Sequence, residues 1–317
     1  MFSELDSVKT GVIGDFCLDV YWYADMTKSE LSRETAHYPL PVVREKMSPG
    51  GAGNVANNLT ALELNKVYAI GVAGNDWRGK AMLTELENAG VDTSFMITVP
   101  ERFTNTYIKP NRFGYSGECT EDARIDFEAR TPLDAESEKK VLAALDEIKD
   151  KVDVLCVCDQ MKYGCITDAV REKICALGKD GLKIIVDSRD RIGLYENVTV
   201  KPNDIEAARA AGESDPAKCA GILSAKTGRP AIVTCGADGC VIFENGKAVH
   251  IDANKKISGE TDICGAGDTF LSAVAAFTAA GKSLAEAAVY ANAASCVTVH
   301  KVGMTGTATR GEIAKII

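Results

Sequence analysis

The chain has 317 residues, 46% of them hydrophobic and 26% charged, a composition typical of one large globular domain. Its formal net charge of −9 at pH 7 argues against a general nucleic-acid-binding protein, because no basic field is available to neutralise phosphates. No run of about 18 apolar residues occurs, and the acidic N-terminus leads straight into a strand pattern, so we expect neither a membrane span nor a signal peptide.

The first strand pattern begins at Lys9 and reaches Gly14 and Asp15. Ligands of open α/β sheets bind at the carboxyl ends of strands, so Asp15 and Asp19 are candidate ligand contacts. For Asp15, turn and cap chemistry is an equally good explanation. Asp19 lies among apolar residues, where an unpaired carboxylate is costly, and this favours a ligand contact.

A glycine-rich turn follows a short predicted edge strand over residues 39–45. Gly50, Gly51 and Gly53 precede Asn54 and open a helix. The Gly51-x-Gly53-x-x-Ala56 spacing partly matches a dinucleotide fingerprint, but it does not follow the first strand, so an NAD-dependent enzyme is only a weak alternative. A turn that lets a polyol approach Asn54 fits better, and a simple tight turn is the remaining explanation.

Residues 95–130 alternate with period two, which predicts half-polar strands of a small sheet exposed on one face. Together with residues 20–46 they are predicted to form a lid over a single domain spanning 1–317. Such a lid would exclude water from the site.

From residue 134 onward, strand and helix patterns alternate regularly. Helices are predicted over 134–150, 167–178, 266–280 and 283–299, and a hairpin turns at Asn245-Gly246. This alternation predicts a mostly parallel sheet covered by helices on both faces. Asp159, Asp187 and Thr234 each end a predicted strand, so they are expected along one ligand-binding edge.

The loop at 260–270 has the clearest chemical pattern. Gly265-Ala266-Gly267 stands at a helix start, where backbone N–H groups have no intrahelical partner and the helix dipole favours anions. Asp268 follows directly, either as a first-turn acid or as a general base beside an anion. The two glycines favour the second interpretation, which suits phosphoryl transfer to an alcohol.

The eleven cysteines are scattered, most of them in apolar runs, and none form a CxxC pair. We therefore expect reduced thiols in a cytoplasmic protein and no zinc site.

The glycine motif at 50–56 and the motif Asp262-Ile-Cys264-Gly265-Ala266-Gly267-Asp268 together resemble the ribokinase-like (PfkB) family of carbohydrate kinases. Within that family the chain is most similar to heptose-7-phosphate kinases, on the stretches at 14–23, 41–43, 124–128 and 290–294. The chain stops after the kinase pattern, so no fused nucleotidyltransferase domain is expected. The resemblance implies a three-layer α/β/α sandwich with a small β-sheet lid.

The resemblance also implies roles for individual residues. Asp268 would be the base, and the backbone N–H groups of Gly265, Ala266 and Gly267 would hold the transferring phosphoryl group. Asn203 and Glu206 would position Mg²⁺, through water, and Asp262 would shape a loop for a monovalent cation such as K⁺. Sugar hydroxyls would be bound by Asp15, Asp19, Gly50, Gly51 and Asn54. The ATP side would be lined by Asn203, Thr234, Gly236, Gly239 and Asn292.

Four cations are candidates for binding a substrate phosphate, namely Lys109, Arg124, Lys162 and Arg189. For each, a solvated surface cation is at least as good an explanation. The chain departs from the heptose kinase pattern at the sugar end. Cys264 replaces a threonine, Tyr107 replaces a lysine, and the stretches at 33–38 and 159–164 are longer.

These observations predict an ATP- and Mg²⁺-dependent kinase for a hydroxyl of a sugar or sugar phosphate. Heptose 7-phosphate, fructose phosphates and nucleosides are the candidate acceptors. A non-catalytic sugar- or nucleotide-binding sensor on the same fold is the alternative, and the complete Asp268 motif argues against it. A homodimer through the lid strands is also expected, because the small sheet would otherwise leave its edges exposed.

Overall fold

The computed structural model describes residues 2–253, 259–303 and 305–317. Its strands are β1 (Lys9–Gly14), β2 (Phe16–Asp25), β3 (Val42–Gly51), β4 (Lys66–Gly74), β5 (Asp92–Val99), β6 (Thr106–Phe113), β7 (Cys119–Glu121), β8 (Ile125–Phe127), β9 (Val154–Asp159), β10 (Lys183–Ser188), β11 (Thr199–Val200), β12 (Ala231–Thr234), β13 (Cys240–Glu244) and β14 (Lys247–Ile251). Its α-helices are α1 (Ala52–Ala61), α2 (Trp77–Asn88), α3 (Ala135–Ile148), α4 (Asp168–Lys179), α5 (Asp204–Ala211), α6 (Pro216–Thr227), α7 (Ala266–Ala279), α8 (Leu284–Val299) and α9 (Arg310–Ile316).

A nine-stranded sheet with the order β14-β13-β12-β11-β10-β9-β1-β4-β5 forms the centre of the fold. The strands from β12 to β5 are parallel, and the β13–β14 hairpin adds two antiparallel strands at one edge. Alternate residues of β9 face opposite sides, because successive side chains of a strand point to opposite faces. Cys156 packs in the core with α1, α7 and α8, whereas Leu155 packs with α3 and α4. The predicted three-layer α/β/α architecture is confirmed.

A second sheet of five strands has the order β3-β2-β6-β7, with β8 also pairing with β6. It is built from the two segments predicted to form the lid, and it also takes in residues 16–19 and 47–51. Residues 95–99 were expected in this small sheet, but they belong to β5, which is the parallel edge strand of the large sheet. Their half-polar pattern reflects that exposed edge position.

The first predicted strand is divided between the two sheets. β1 lies in the large sheet, the chain turns at Asp15, and β2 runs in the small sheet. Asp15 is therefore a crossing point, with its N–H bonded to the carbonyl of Cys158 at 3.0 Å. The hydrophobic pattern could not reveal this division, because both strands are buried and apolar.

One helix, α6, was absent from the predicted elements, although its end signals are present in the sequence. Asp215 caps its N-terminus, Pro216 occupies the first turn, and Gly228 ends it in the left-handed conformation. No helix among the described residues is long and apolar enough to cross a membrane.

Candidate active site

Two helix N-termini meet at Asp268. Asp268 is in the first turn of α7, and Asn54 is in the first turn of α1. The side-chain amide of Asn54 donates to Oδ2 of Asp268 at 3.1 Å. Ser272 fastens the two helices together, since its hydroxyl donates to the carbonyl of Val55 at 3.0 Å and to that of Asp268 at 2.7 Å. The two glycine motifs, 214 residues apart between Asn54 and Asp268, therefore build one site.

Gly265 caps α7 with a φ of 78°, a left-handed conformation that glycine adopts without strain. A Cβ at this position would also collide with the side chain of Thr305. The N–H of Ala266 donates to the carbonyl of Ile263 at 3.2 Å. It is therefore not free for an anion, and the predicted cradle narrows to Gly265 and Gly267, whose N–H groups have no acceptor among the described residues.

The carboxyl of Asp268 has its pKa raised to about 7. Withdrawal from water is the largest cause, and the charge of Asp187 adds to it, whereas Asn54 and Lys201 act in the opposite direction. A carboxyl with a pKa near neutrality is suited to exchanging a proton during catalysis.

Lys201 is a site residue that the sequence analysis missed. It is buried, and its Nζ lies 3.0 Å from Oδ2 of Asp187 at the end of β10. Burial disfavours its charged form, but the Asp187 carboxylate more than compensates, so the pKa of Lys201 is raised. A Cβ added at Gly267 would be 3.8 Å from the Lys201 ammonium, so this cation lies beside the cradle. The available signal was a lysine at the carboxyl end of β11, directly before Pro202 and Asn203.

Asn203 and Glu206 form a reciprocal capping box at the start of α5. Oδ1 of Asn203 accepts the N–H of Glu206 at 2.8 Å, and Oε2 of Glu206 accepts the N–H of Asn203 at 2.9 Å. Burial, followed by the charge of Asp187, raises the pKa of Glu206. A nearby cation would relieve this repulsion, and carboxylate and amide oxygens are the donors that Mg²⁺ prefers.

Within the described ranges, no three His, Cys, Asp or Glu side chains come together as direct ligands of one metal ion. Mg²⁺ commonly keeps several waters and uses one or two carboxylates plus substrate phosphates. The residues present therefore fit a Mg²⁺ ion held through water and ATP, which is the arrangement predicted for Asn203 and Glu206.

The sugar-side residues gather on one face of the small sheet. Nζ of Lys109 lies 3.7 Å from Oδ1 of Asp19, and it donates to the hydroxyl of Tyr21 at 3.0 Å. Gly50 lies opposite, where a Cβ would be 2.6 Å from Oδ2 of Asp19. Gly51 has a φ of 57° and caps α1. The glycine motif thus makes room for Asp19 and starts the helix that carries Asn54.

Asp15 is buried, and its carboxylate is occupied by backbone groups. Oδ2 accepts the N–H groups of Gln160 and Met161 at 2.9 and 2.7 Å, and Oδ1 accepts that of Cys165 at 2.7 Å. Burial raises the pKa of Asp15 to about 6. The turn-and-cap explanation therefore describes what Asp15 does in this structure, and its predicted contact with substrate gains no support.

The other three predicted phosphate-binding cations are dispersed. Arg124 makes a bidentate pair with Asp126 on the small sheet, at 2.7 and 2.8 Å. Lys162 is exposed, with Nζ 5.1 Å from the centroid of the Tyr163 ring. Arg189 is exposed directly after β10, and its charge acts on Glu206 at the phosphate side. Only Arg124 therefore shares the small sheet with Lys109.

The predicted nucleotide-side residues form two adjoining groups. Thr234, at the end of β12, bridges to Asn203. The side-chain amide of Asn292 donates to the carbonyl of Asp252 at 3.2 Å, and Gly239 packs against the same stretch after β14. Gly236 is exposed in the turn between these groups.

Asp262 joins two loops beside the cradle. Its Oδ1 accepts the N–H of Cys264 at 2.9 Å, and its Oδ2 accepts that of Gly303 at 3.2 Å. The side chain of Asp262 therefore connects these two loops, and its role towards a monovalent cation stays a prediction. Cys264 is exposed, with Sγ 3.8 Å from the hydroxyl of Thr305.

Comparison with known proteins agrees with this geometry. The model of the pfkB family of carbohydrate kinases matches residues 12–310. The chain is 33% identical over 319 residues to the bifunctional protein HldE of Gluconobacter oxydans, covering 96% of this chain and 63% of that protein. The chain thus spans slightly less than two thirds of the length of this relative.

Solved structures show the same fold at low identity. Escherichia coli phosphofructokinase-2 in complex with substrates and products has a TM-score of 0.76 and 19% identity, with 98% of each chain covered. Arabidopsis thaliana ribokinase complexed with ribose and ATP has a TM-score of 0.71 and 20% identity, again over 98% of each chain. The chain belongs to the pfkB family of carbohydrate kinases.

Proposed function

We propose that this protein transfers the γ-phosphoryl group of ATP to a hydroxyl of a sugar phosphate, with heptose 7-phosphate as the first candidate. The observation that carries the proposal is the pairing of Asp268 with Asn54 where α7 and α1 begin. A carboxyl with a pKa of about 7 thereby lies next to the N–H groups of Gly265 and Gly267, which have no acceptor in the described part of the chain. A base and an anion cradle in contact are what transfer to an alcohol requires.

In the proposed reaction the acceptor hydroxyl donates a hydrogen bond to Asp268. The acceptor oxygen forms a bond to the γ-phosphorus while the bond from that phosphorus to the β–γ bridging oxygen breaks, and ADP leaves with the electron pair. The acceptor proton passes to the carboxylate of Asp268. Asn54 holds the carboxylate in place through its 3.1 Å hydrogen bond, so the base is oriented before the acceptor arrives.

Negative charge on the transferring group is met by groups of this chain. A Cβ at Gly265 would be 4.0 Å from Oδ2 of Asp268, and a Cβ at Gly267 would be 3.8 Å from the buried ammonium of Lys201, so the two N–H groups and this cation lie close to the base. Fixed donors of this kind stabilise the transition state without reorganisation. Mg²⁺, when bound, supplies neutralisation of the β- and γ-phosphate oxygens. Glu206 and Asn203 would hold it through water, and Asp262 would support a loop for K⁺.

The charged residues at the sugar end of the site indicate the class of acceptor. Asp19 binds hydroxyls in this account, and the Lys109 and Arg124 cations on the same sheet suit an anionic group. The residues that resemble heptose-7-phosphate kinases make that acceptor the first candidate, and fructose phosphates are the next. The small sheet acts as the lid of one kinase domain, and it excludes water when acceptor is bound.

We also infer that two copies associate through the edge strand β3 of the lid. Val42 and Val43 on this strand are 44% and 48% exposed, and Leu40 just before it is also exposed. An apolar edge strand is a template for pairing with a second strand.

A panel of acceptors assayed for ATP consumption tests the proposed function. It includes heptose 7-phosphate, fructose 1-phosphate, fructose 6-phosphate, the parent sugars and a nucleoside. We expect turnover of a sugar phosphate, dependent on Mg²⁺. Turnover restricted to an unphosphorylated sugar or a nucleoside would contradict the acceptor class. Acceptor binding without turnover of any candidate would contradict the proposal as a whole.

A further inference from the structure

We propose that Tyr107 is a specificity-determining positioning residue, whose ring holds the guanidinium of Arg124 on the site-facing side of the small sheet. There Arg124 and Lys109 together bind the anionic group of the acceptor. This inference deepens the proposed function and rests on it for the acceptor class.

Strand register places the residues concerned in two neighbouring rows. Asp19 of β2 pairs with Tyr107 of β6, which pairs in turn with Asp126 of β8. Tyr21 and Lys109 pair in the next row. Residues paired directly across strands share a face, as do residues two apart along a strand. All five side chains therefore lie on one side of the small sheet.

This side of the sheet faces the catalytic loop. Burial raises the pKa of Asp268, with Asp187 adding to the effect, and the charge of Asp19 contributes in the same direction. Burial also raises the pKa of Tyr21, and Lys109, followed more weakly by Thr305, opposes that rise. Thr305 lies against Gly265 at the start of α7. An anion bound beside Lys109 would thus be within the same site as the base.

Arg124 is held from two directions. Its guanidinium carbon lies 4.6 Å from the centroid of the Tyr107 ring, and its Nε and Nη2 donate to the two carboxylate oxygens of Asp126. A cation over an aromatic face is stabilised by the ring quadrupole. Among the described residues no acceptor is bonded to Nη1 of Arg124, so one edge of the planar group stays available for a phosphate oxygen.

Lys109 supplies the second charge. Burial disfavours its charged form, but Asp19 and Tyr21 outweigh this effect, and the pKa of Lys109 is raised. Asp19 in turn has a pKa raised by burial and lowered in part by Lys109 and Arg124, which shows that both cations act on the same carboxylate. A lysine at position 107 would repel both of them, whereas a tyrosine ring attracts Arg124.

Titration calorimetry of sugar phosphates against the parent sugars tests this role without requiring turnover. Sedoheptulose 7-phosphate and fructose 6-phosphate, with sedoheptulose and fructose, are the probes for the wild-type chain, Tyr107→Leu, Tyr107→Phe and Arg124→Lys. We expect the Kd for phosphorylated probes to rise about tenfold in Tyr107→Leu and in Arg124→Lys. Tyr107→Phe keeps the ring and should stay within about twofold, and the Kd for parent sugars should not change.

Three results would overturn the role of Tyr107. These are equal losses for phosphorylated and parent sugars, a Tyr107→Phe variant as weak as Tyr107→Leu, and a wild-type chain that binds no sugar phosphate. If Tyr107→Leu does not fold, the comparison of Arg124→Lys with Tyr107→Phe still decides. Turnover assays separate this inference from the proposed function. Loss of selectivity for phosphorylated acceptors with kcat unchanged supports the Tyr107 role, whereas wild-type binding without any turnover contradicts only the kinase assignment.

Discussion

At the scale of single residues, the site depends on how three buried or partly buried charges share one region. Asp268 and Asp187 repel each other, and Lys201 lies between the cradle and Asp187 at 3.0 Å from the latter. Asn54 adds a neutral donor to Asp268. The pKa of about 7 for Asp268 is the balance of these interactions, so changing one charge should move it predictably.

The pH dependence of activity should report Asp268. The base must be deprotonated, and its pKa is raised, so kcat/KM should rise with pH through about 7 and then level off. Asp187→Asn removes the like charge and leaves Lys201 to act on Asp268 alone, so the acidic limb should move to lower pH. Asp190→Asn is the control, because Asp190 is an exposed partner of Arg209. A limb that stays in place or moves to higher pH in Asp187→Asn would contradict this electrostatic account.

At the scale of elements, helix α7 offers a matched pair of glycines at its two ends. Gly265 begins the helix with a φ of 78°, and Gly281 follows its last turn with a φ of 90°. A Cβ at Gly265 would collide with Thr305, whereas nothing lies within 4 Å of a Cβ at Gly281. An alanine would therefore be strained by a positive φ at both positions, but only position 265 lies at the candidate active site.

Gly281→Ala should lower the free energy of unfolding by about 1 to 2 kcal/mol, the cost of a left-handed alanine, and Gly265→Ala should lower it by more, because its Cβ also collides with Thr305. Only Gly265→Ala should lower kcat, by at least about tenfold, because it also displaces the cradle. Chemical denaturation and steady-state kinetics on both variants give the comparison. Similar kcat values for the two variants would show that glycine is needed at position 265 only for its backbone conformation and not for catalysis.

The loop at 160–165 depends on a single carboxylate. Asp15 accepts three backbone N–H groups there, so Asp15→Asn should lower the free energy of unfolding by about 2 kcal/mol or more, because buried donors lose their acceptors. Asp153→Asn is the control, since Asp153 is exposed and accepts one N–H from Lys9. Its effect should stay within about 0.5 kcal/mol. Equal effects of the two substitutions would remove the anchoring role of Asp15.

At the scale of the whole molecule, the two sheets meet at the site and the small sheet leaves β3 as a free edge. If two copies pair through β3, light scattering should give about twice the chain mass of 33.7 kDa. Val43→Glu should shift the protein towards the monomer. Val249→Glu, on the edge strand β14 of the large sheet and 47% exposed, should not. A monomeric wild-type chain would rule the dimer out.

The sequence was sufficient for predicting the layers of the fold and for expecting an acid, Asp268, directly after an anion-binding loop at Gly265-Ala266-Gly267. Strand–helix alternation has one compact solution, and Gly-Ala-Gly before an acid has few uses. It was not sufficient where the chemistry depends on tertiary position. For Asp15 the sequence left a ligand contact and turn chemistry equally open, and only the fold shows that its carboxylate accepts three N–H groups of a loop 145 to 150 residues away. In the sequence, Lys201 is only the residue after a short predicted strand. Its position beside Asp187 depends on how the strands pack in the fold. The Asn203-x-x-Glu206 sequence is typical of a helix capping box and also resembles the family's Mg²⁺ motif. The structure shows the capping box.

The proposed reaction transfers a phosphoryl group from ATP to a sugar phosphate, with Asp268 as the base. It is tested most directly by measuring formation of the doubly phosphorylated sugar from γ-labelled ATP by the wild-type chain, Asp268→Asn and Asp168→Asn. Asp168 is an exposed first-turn acid of α4 that pairs with Arg171, and it serves as the matched control. We predict that Asp268→Asn lowers kcat by about 10² to 10⁴ and that Asp168→Asn leaves it unchanged. Labelled product formed at the wild-type rate by Asp268→Asn would contradict the account.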